Sequence, residues 1–159
     1  MLITAGNFDA YSIGAKAERL FRMQRHGIRV PELFCISEDT TESEIAAYIR
    51  QTFRAGTLFS VRSSANAEDS AAFSFAGQLD TFLFVPAEQV WEKICQCRAS
   101  ADSESVREYL RINGIAHEEF RIHVIVQVMV DADCAGVLFT ANPQGILNET
   151  VITVGSGTG

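Results

Sequence analysis

At 159 residues, with 47% hydrophobic and 21% charged side chains, the chain has the length of one domain and enough apolar surface for a core. A formal net charge of −7 argues against a duplex-binding protein, which needs clustered Lys and Arg to displace counterions. No stretch approaches the roughly 20 uninterrupted apolar residues of a membrane span, so neither nucleic acid nor membrane is an expected partner. The opening residues lack a basic start followed by a long apolar run. The four cysteines (Cys35, Cys95, Cys97, Cys134) contain a single C-x-C, a poor zinc signature. Reduced, buried thiols in a cytoplasmic protein are the expectation.

In chain order, Ile13, Ala17, Leu20 and Phe21 fall at helical spacing between Ser12 and His26, and Gly27 suits the C-terminal cap. Val30 to Ser37 reads as a short strand, and Pro31 near its start predicts a sheet edge. Thr41 and Glu44 form a capping box ahead of a helix carrying Ile45, Ile49 and Phe53 on one face. Thr57 to Arg62 is a strand running into Ser63 to Ser70, a small, polar stretch that predicts a loop. Leu79 to Val85 is a further strand. Pro86 suits the first turn of a helix with Val90, Ile94 and Trp91 inward, and another helix over Ser103 to Ile112 ends at Asn113–Gly114.

Beyond this the pattern turns to strands: Arg121 to Val130, Ala135 to Thr140 and Thr150 to Val154. Asp131–Ala132–Asp133 and Asn142–Pro143–Gln144–Gly145 supply the turns between them. The expected architecture is α+β, with helices on one face of a largely antiparallel sheet. No internal repeat or low-complexity tract is present.

Three stretches can carry chemistry. Gly14–Ala15–Lys16 opens a helix, where free N–H groups and the positive dipole end favour an anion and Lys16 adds a mobile charge. A merely solvated lysine is the commoner role at such a position. Val61–Arg62–Ser63–Ser64–Ala65 delivers an arginine to the mouth of a polar loop; its fork can hold phosphate oxygens, or it can brace the loop through Glu68 or Asp69. Ser74–Phe75–Ala76–Gly77–Gln78 precedes Leu79–Asp80–Thr81, where Gly77 allows close backbone approach and Thr81 offers a hydroxyl. A β-turn entering a strand explains that stretch equally.

Taken together these stretches resemble the ATP-binding domain shared by pyruvate phosphate dikinase, phosphoenolpyruvate synthase and rifampin phosphotransferase. The family pattern has G-G-K before a helix, then G-x-x-V-P, V-R-S-S-A-x-x-E-D, S-F-A-G-Q-x-x-T, V-Q-x-M-V and G-V-x-F-T-x-x-P. The counterparts are Gly14 to Lys16, Gly27 to Pro31, Val61 to Asp69, Ser74 to Thr81, Val126 to Val130 and Gly136 to Pro143, in order along nearly the whole chain. Two departures stand out. Ala15 replaces the second glycine of G-G-K, and Leu33 the glycine usual after V-P.

The resemblance implies an ATP-grasp-like α+β nucleotide-binding domain, of which residues 1–159 are the N-terminal part; a subdomain break can fall near residue 56. It implies that Lys16 and Arg62 hold the ATP phosphates, with Thr81 and the backbone near Gly77 along the same track. Gln127, Val128, Met129 and Val130 would lie beside the adenine, although an ordinary buried strand accounts for their residue types. The family moves a phosphoryl group from ATP to a histidine on a separate domain, and then to pyruvate or a related acceptor. Its Mg²⁺ ligands lie downstream of this chain, and none of His26, His117 and His123 sits in a phosphohistidine motif. The glycine-rich end, Gly155 to Gly159, reads as an interruption. The expectation is a nucleotide-binding part, inactive alone, that needs the missing phosphohistidine and acceptor domains. The alternatives are a non-catalytic nucleotide-binding or docking module that needs a second chain, and a structural remnant without a ligand.

Overall fold

The computed structural model describes residues 2–10, 13–65, 80–116, 120–142, 145 and 148–158. The elements are β1 (Leu2–Ile3), α1 (Ala15–Arg25), β2 (Leu33–Ile36), α2 (Glu42–Thr52), β3 (Leu58–Ala65), β4 (Thr81–Pro86), α3 (Val90–Ser100), α4 (Glu104–Ile112), β5 (Ile122–Val128), β6 (Cys134–Phe139) and β7 (Val151–Ser156). Short 3₁₀ turns at Phe8–Ala10 and Ala87–Gln89 precede α1 and α3.

Local chemistry accounts for the helix ends. The Thr41 hydroxyl accepts from the Glu44 N–H at 3.4 Å while the Glu44 carboxylate accepts from the Thr41 N–H at 2.9 Å, closing the capping box at α2. The Ser103 hydroxyl caps α4 by accepting from Val106 N–H. Past α1, the Gly27 and Ile28 N–H groups return to the Gln24 and Met23 carbonyls, satisfying acceptors left over by the helix.

The chain divides into two units, Met1–Met129 and Val130–Gly159. Residue 56 lies inside the first, at the turn into β3. That unit holds an antiparallel five-stranded sheet in the order β1-β2-β5-β3-β4. The class is therefore α+β with antiparallel pairing, as expected. Three details differ from the sequence reading. The strand after Pro31 is internal, because β1 and β5 flank β2 and the proline lies two residues before the ladder begins. The arginine-bearing strand continues through Ser63, Ser64 and Ala65, whose pairing with Val124, His123 and Ile122 outweighs their loop-like composition. The helices occupy both faces of the sheet rather than one.

Strand periodicity explains that last point. Phe59 and Val61 of β3, Val124 and Val126 of β5, and Phe34 and Ile36 of β2 point to one face, where Ile45 and Ile49 of α2 and Val90, Ile94 and Cys97 of α3 close over them. Rings of Tyr48 and Phe53 meet Phe34 and Phe59 edge-on, at centroid distances of 5.0 Å for Tyr48–Phe34 and 5.2 Å for Phe53–Phe59. Each such side chain, fully buried, contributes about 1.5–3 kcal/mol. Leu33, Cys35 and Ile125 point the other way, onto Ala17 and Phe21 of α1. A third cluster joins Val106 and Leu110 of α4 to Ala65 and Phe120.

The second unit is a two-stranded antiparallel hairpin running from Cys134↔Ser156 to Phe139↔Val151. Its Val137, Leu138, Ile152 and Val154 are all more than half exposed.

Candidate functional site

Of the residues singled out in the sequence, Lys16 and Arg62 lie on elements that meet where α1 begins and β3 ends. Gly14 precedes α1 with φ 76°, and a Cβ there would lie 2.6 Å from the Ser64 hydroxyl and 3.0 Å from the Ala65 carbonyl oxygen. Only glycine meets both demands, positive φ and close approach. The Ser64 hydroxyl donates to the Ile13 carbonyl at 3.2 Å, fastening the segment before α1 to the strand. Lys16 therefore sits in the first turn of α1 beside the end of the arginine-bearing strand. Gly14 supplies no side-chain cap, so the first N–H groups of α1 depend on other acceptors. Ala15, where the family pattern has its second glycine, is the first helical residue.

On β3, Ser60, Arg62 and Ser64 alternate with Phe59 and Val61 and so share the face opposite the main apolar core. Arg62 is half-buried. Its Nε is fully buried and finds no hydrogen-bond partner among the described residues. A guanidinium N–H placed this way is costly unless an acceptor completes it. Loop bracing through Glu68 or Asp69 falls outside the described residues, as does Gly77.

Thr81, the first residue of β4, is the cross-strand partner of Arg62 and is exposed. Residues paired across a ladder point to the same face, which places its hydroxyl on the arginine's side of the sheet. β4 reaches that register through a bulge. It pairs Phe59↔Val85 and then Val61↔Phe82, leaving Leu83 and Phe84 opposite Ser60, with Phe84 at φ 55°. A left-handed backbone at a non-glycine residue costs roughly 1–2 kcal/mol.

The proposed adenine segment is split. Gln127 pairs with Ser60, and its Nε2 donates to the Pro31 carbonyl at 3.3 Å. Val128 packs into the main apolar core, on the face away from Arg62. The Val128 and Met129 N–H groups already donate to the Glu32 and Leu58 carbonyls, at 2.8 and 2.9 Å, so neither is free to read a base. Val130 opens the second unit.

Two ionisable groups nearby are tuned by burial. Desolvation lowers the pKa of His123, the β5 partner of Ser64, against a weaker opposing pull from the Glu38 carboxylate. Burial pushes the Cys97 thiol up to about 11, and it moves Cys35 in the same direction, so both are inert thiols rather than ligands. Among the described residues, no three His, Cys, Asp or Glu side chains gather as a metal site. No described helix is long and apolar enough to cross a membrane. A cavity of about 300 Å³, lined by Glu38, Arg98, Asp102, Phe120 and Arg121 among others, contains none of the predicted site residues.

Ser60, inside the expected strand Thr57 to Arg62, was not singled out by the sequence reading, although it shares a face with Arg62. The signal was present in the alternation Phe59–Ser60–Val61–Arg62, which is strand periodicity with one polar face.

An antiparallel α+β module in which the polar residues of one strand lie beside a helix N-terminus is the class this fold defines. The chain belongs to the pyruvate phosphate dikinase, AMP/ATP-binding domain family, whose model matches residues 38–159. It is 35% identical to a rifampicin phosphotransferase of Streptomyces sviceus, over 92% of this chain and 22% of that protein. It is 38% identical to a rifampicin phosphotransferase of Bacillus subtilis, over 72% of this chain and 13% of the relative. With the phosphoenolpyruvate synthase of Pyrococcus furiosus the identity is 37%, over 74% of this chain and 16% of the relative. The chain thus spans less than a quarter of the length of each. The Streptomyces alignment runs over 197 residues, more than the 159 of this chain, so that relative carries stretches with no counterpart here.

Proposed function

We propose that this chain is the nucleotide-gripping part of an ATP-dependent phosphotransferase. In this reading the phosphoryl group passes from ATP to a histidine on a separate domain, and then to pyruvate or a related acceptor. The observation that carries it is Arg62, whose buried Nε lacks an acceptor among the described residues while its own strand is fastened to the start of α1. A phosphate oxygen would complete that N–H, and the guanidinium fork would hold a second oxygen in the same plane. Lys16 would add its ammonium from the first turn of α1, where the helix N–H groups and dipole already favour negative charge. Thr81 would donate its hydroxyl from the opposite strand. These groups position and neutralise, which is most of what a protein contributes to phosphoryl transfer. Gly77 would let the loop backbone follow the phosphates.

Gln127 and Met129 would border the base from the same face of the sheet. Val128 would support it only from behind, through the core. With the N–H groups of residues 128 and 129 committed within the protein, recognition of the base edge falls to other main-chain groups. Mg²⁺ would neutralise charge on the transferred group. By the family resemblance its protein ligands would lie downstream of this chain, and no step here depends on it. An ATP-grasp-like arrangement, in which the described sheet is one wall of a larger cleft, fits this division of labour.

The test is titration calorimetry of the chain with ATP and with adenosine, in wild type and Arg62→Ala. ATP should bind more tightly than adenosine, and the difference should shrink at least tenfold in Arg62→Ala. Equal affinities in the two proteins would refute the phosphate role. The isolated chain should not turn over ATP; hydrolysis that survives repurification would contradict that part.

One observation favours a second reading, a non-catalytic docking module that works with another chain. Strands β6 and β7 carry Val137, Leu138, Ile152 and Val154 exposed and contain no charged residue. Light scattering across a concentration series distinguishes the cases, since a strictly monomeric chain argues against self-docking.

A further inference from the structure

We propose that the β-bulge at Leu83–Phe84 is a register device that sets the Thr81 hydroxyl opposite Arg62, with Phe84 as the positioning residue that makes it. The inference rests on the phosphate-binding reading of Arg62 and Thr81 and explains how the fold brings the two together.

The pairing carries the argument. At one end of the β3–β4 ladder the partners are Leu58↔Pro86 and Phe59↔Val85; at the other they are Val61↔Phe82 and Arg62↔Thr81. An unbroken ladder from the first pair would set Leu83 opposite Val61 and Phe82 opposite Arg62. One extra residue in β4 removes that alignment. Because side chains alternate with a period of two, a one-residue slip exchanges the two faces of everything beyond it. The bulge therefore turns Phe82 to the core side, where it packs beside Val61 and lies 5.1 Å under the Lys93 ammonium of α3. It turns Thr81 to the polar side. Without it an aromatic ring would stand beside the arginine and the hydroxyl would face the core.

Burial of the bulged residues does not account for the feature. Leu83 is 45% and Phe84 41% exposed, yet Phe84 holds φ 55°, a left-handed conformation unfavourable for an aromatic residue. The cost is incurred at a position with little packing in return, and what it changes is the parity of the residues that follow. β4 is an edge strand of the sheet, so an extra residue can be accommodated there without disturbing a second ladder.

The test uses the full chain and ATP calorimetry, with circular dichroism to confirm folding. Thr81→Val comes first and should weaken ATP binding about tenfold. If affinity is unchanged, the phosphate role of Thr81 is wrong and the inference goes with it. Phe84→Val keeps the strand length but resists positive φ, so it favours the unbroken ladder with Phe82 opposite Arg62 and should weaken binding to a similar extent. Adding Phe82→Thr to Phe84→Val puts a hydroxyl opposite Arg62 in that ladder and should recover most of the loss. Phe84→Gly, which keeps the bulge and relieves its backbone, should bind within twofold of wild type. If Thr81→Val weakens binding but Phe84→Val does not, the register claim alone fails. It fails equally if Phe82→Thr gives no recovery, because loss of packing then explains the effect of Phe84→Val.

Discussion

The two faces of β3 differ more than any two elements of the molecule. Phe59 and Val61 are wholly buried against α2 and α3, in a cluster closed by apolar contacts and ring packing. One residue away along the same backbone, Ser60, Arg62 and Ser64 present hydroxyls and a guanidinium whose Nε has no acceptor among the described residues. A strand cannot shift its apolar set without shifting its polar set. Packing on the core face therefore fixes where the arginine points, and stability and binding are coupled through geometry while being carried by different side chains.

That division can be broken from either side. The largest effect is expected on the core face. Phe59→Ala removes a fully buried ring that packs against Phe53, and should cost about 3–5 kcal/mol in chemical denaturation. A loss below ~1 kcal/mol would mean that this face is not the structural one. Gly14→Ala attacks the other face, forcing a methyl to within 2.6 Å of the Ser64 hydroxyl at φ 76°. It should cost about 1–3 kcal/mol and also weaken ATP binding, since it separates α1 from the arginine strand. Unchanged stability would show that the close approach is not required. Thr41→Ala, distant from both faces, should cost about 1 kcal/mol through the lost capping box and leave ATP affinity unaltered.

The smallest effect concerns His123, paired with Ser64 at the polar end of β5. Burial lowers its pKa in the folded state below the ordinary 6.5. The unfolded chain therefore binds the proton more readily, and the stability that the neutral ring contributes is present above pH 6.5. It is lost as the pH falls below that value toward the folded pKa. Thermal melts from pH 7.5 to 5 should decline less steeply in His123→Gln than in wild type. Parallel curves would remove His123 from the account.

Much of the fold was legible where the controlling forces are local. Thr41 with Glu44, Ser103 before Val106 and Gly27 after α1 all mark their helix ends, because capping is settled within a few residues. Long-range pairing was not legible. Ser63–Ser64–Ala65 has loop composition and becomes strand only because β5 lies alongside it. Pro31 signalled an edge, whereas the chain places β2 between β1 and β5 with the proline outside the ladder. Helices on both faces follow from Leu33 and Cys35 pointing to α1 while Phe34 and Ile36 point to α2 and α3, a consequence of a buried strand that no alternating pattern announces.

For the site, motif order marked Lys16, Arg62 and Thr81, and the fold sets the last two opposite each other with Lys16 at the neighbouring helix start. The bulge that aligns Thr81 with Arg62 has no composition signature, since Leu83 and Phe84 are ordinary strand residues. Gln127, Val128, Met129 and Val130 read as one uniform segment, but alternation and the unit boundary divide them.

The most direct measurement is chemical-shift mapping of the backbone amides during an ATP titration. Binding on the polar face predicts perturbations concentrated at residues 14–17, 60–65 and 81, with α2 and α3 nearly silent. Perturbations centred on residues 42–52 or 90–100, with residues 14–17 and 60–65 undisturbed, would contradict the assignment of the polar face as the nucleotide site.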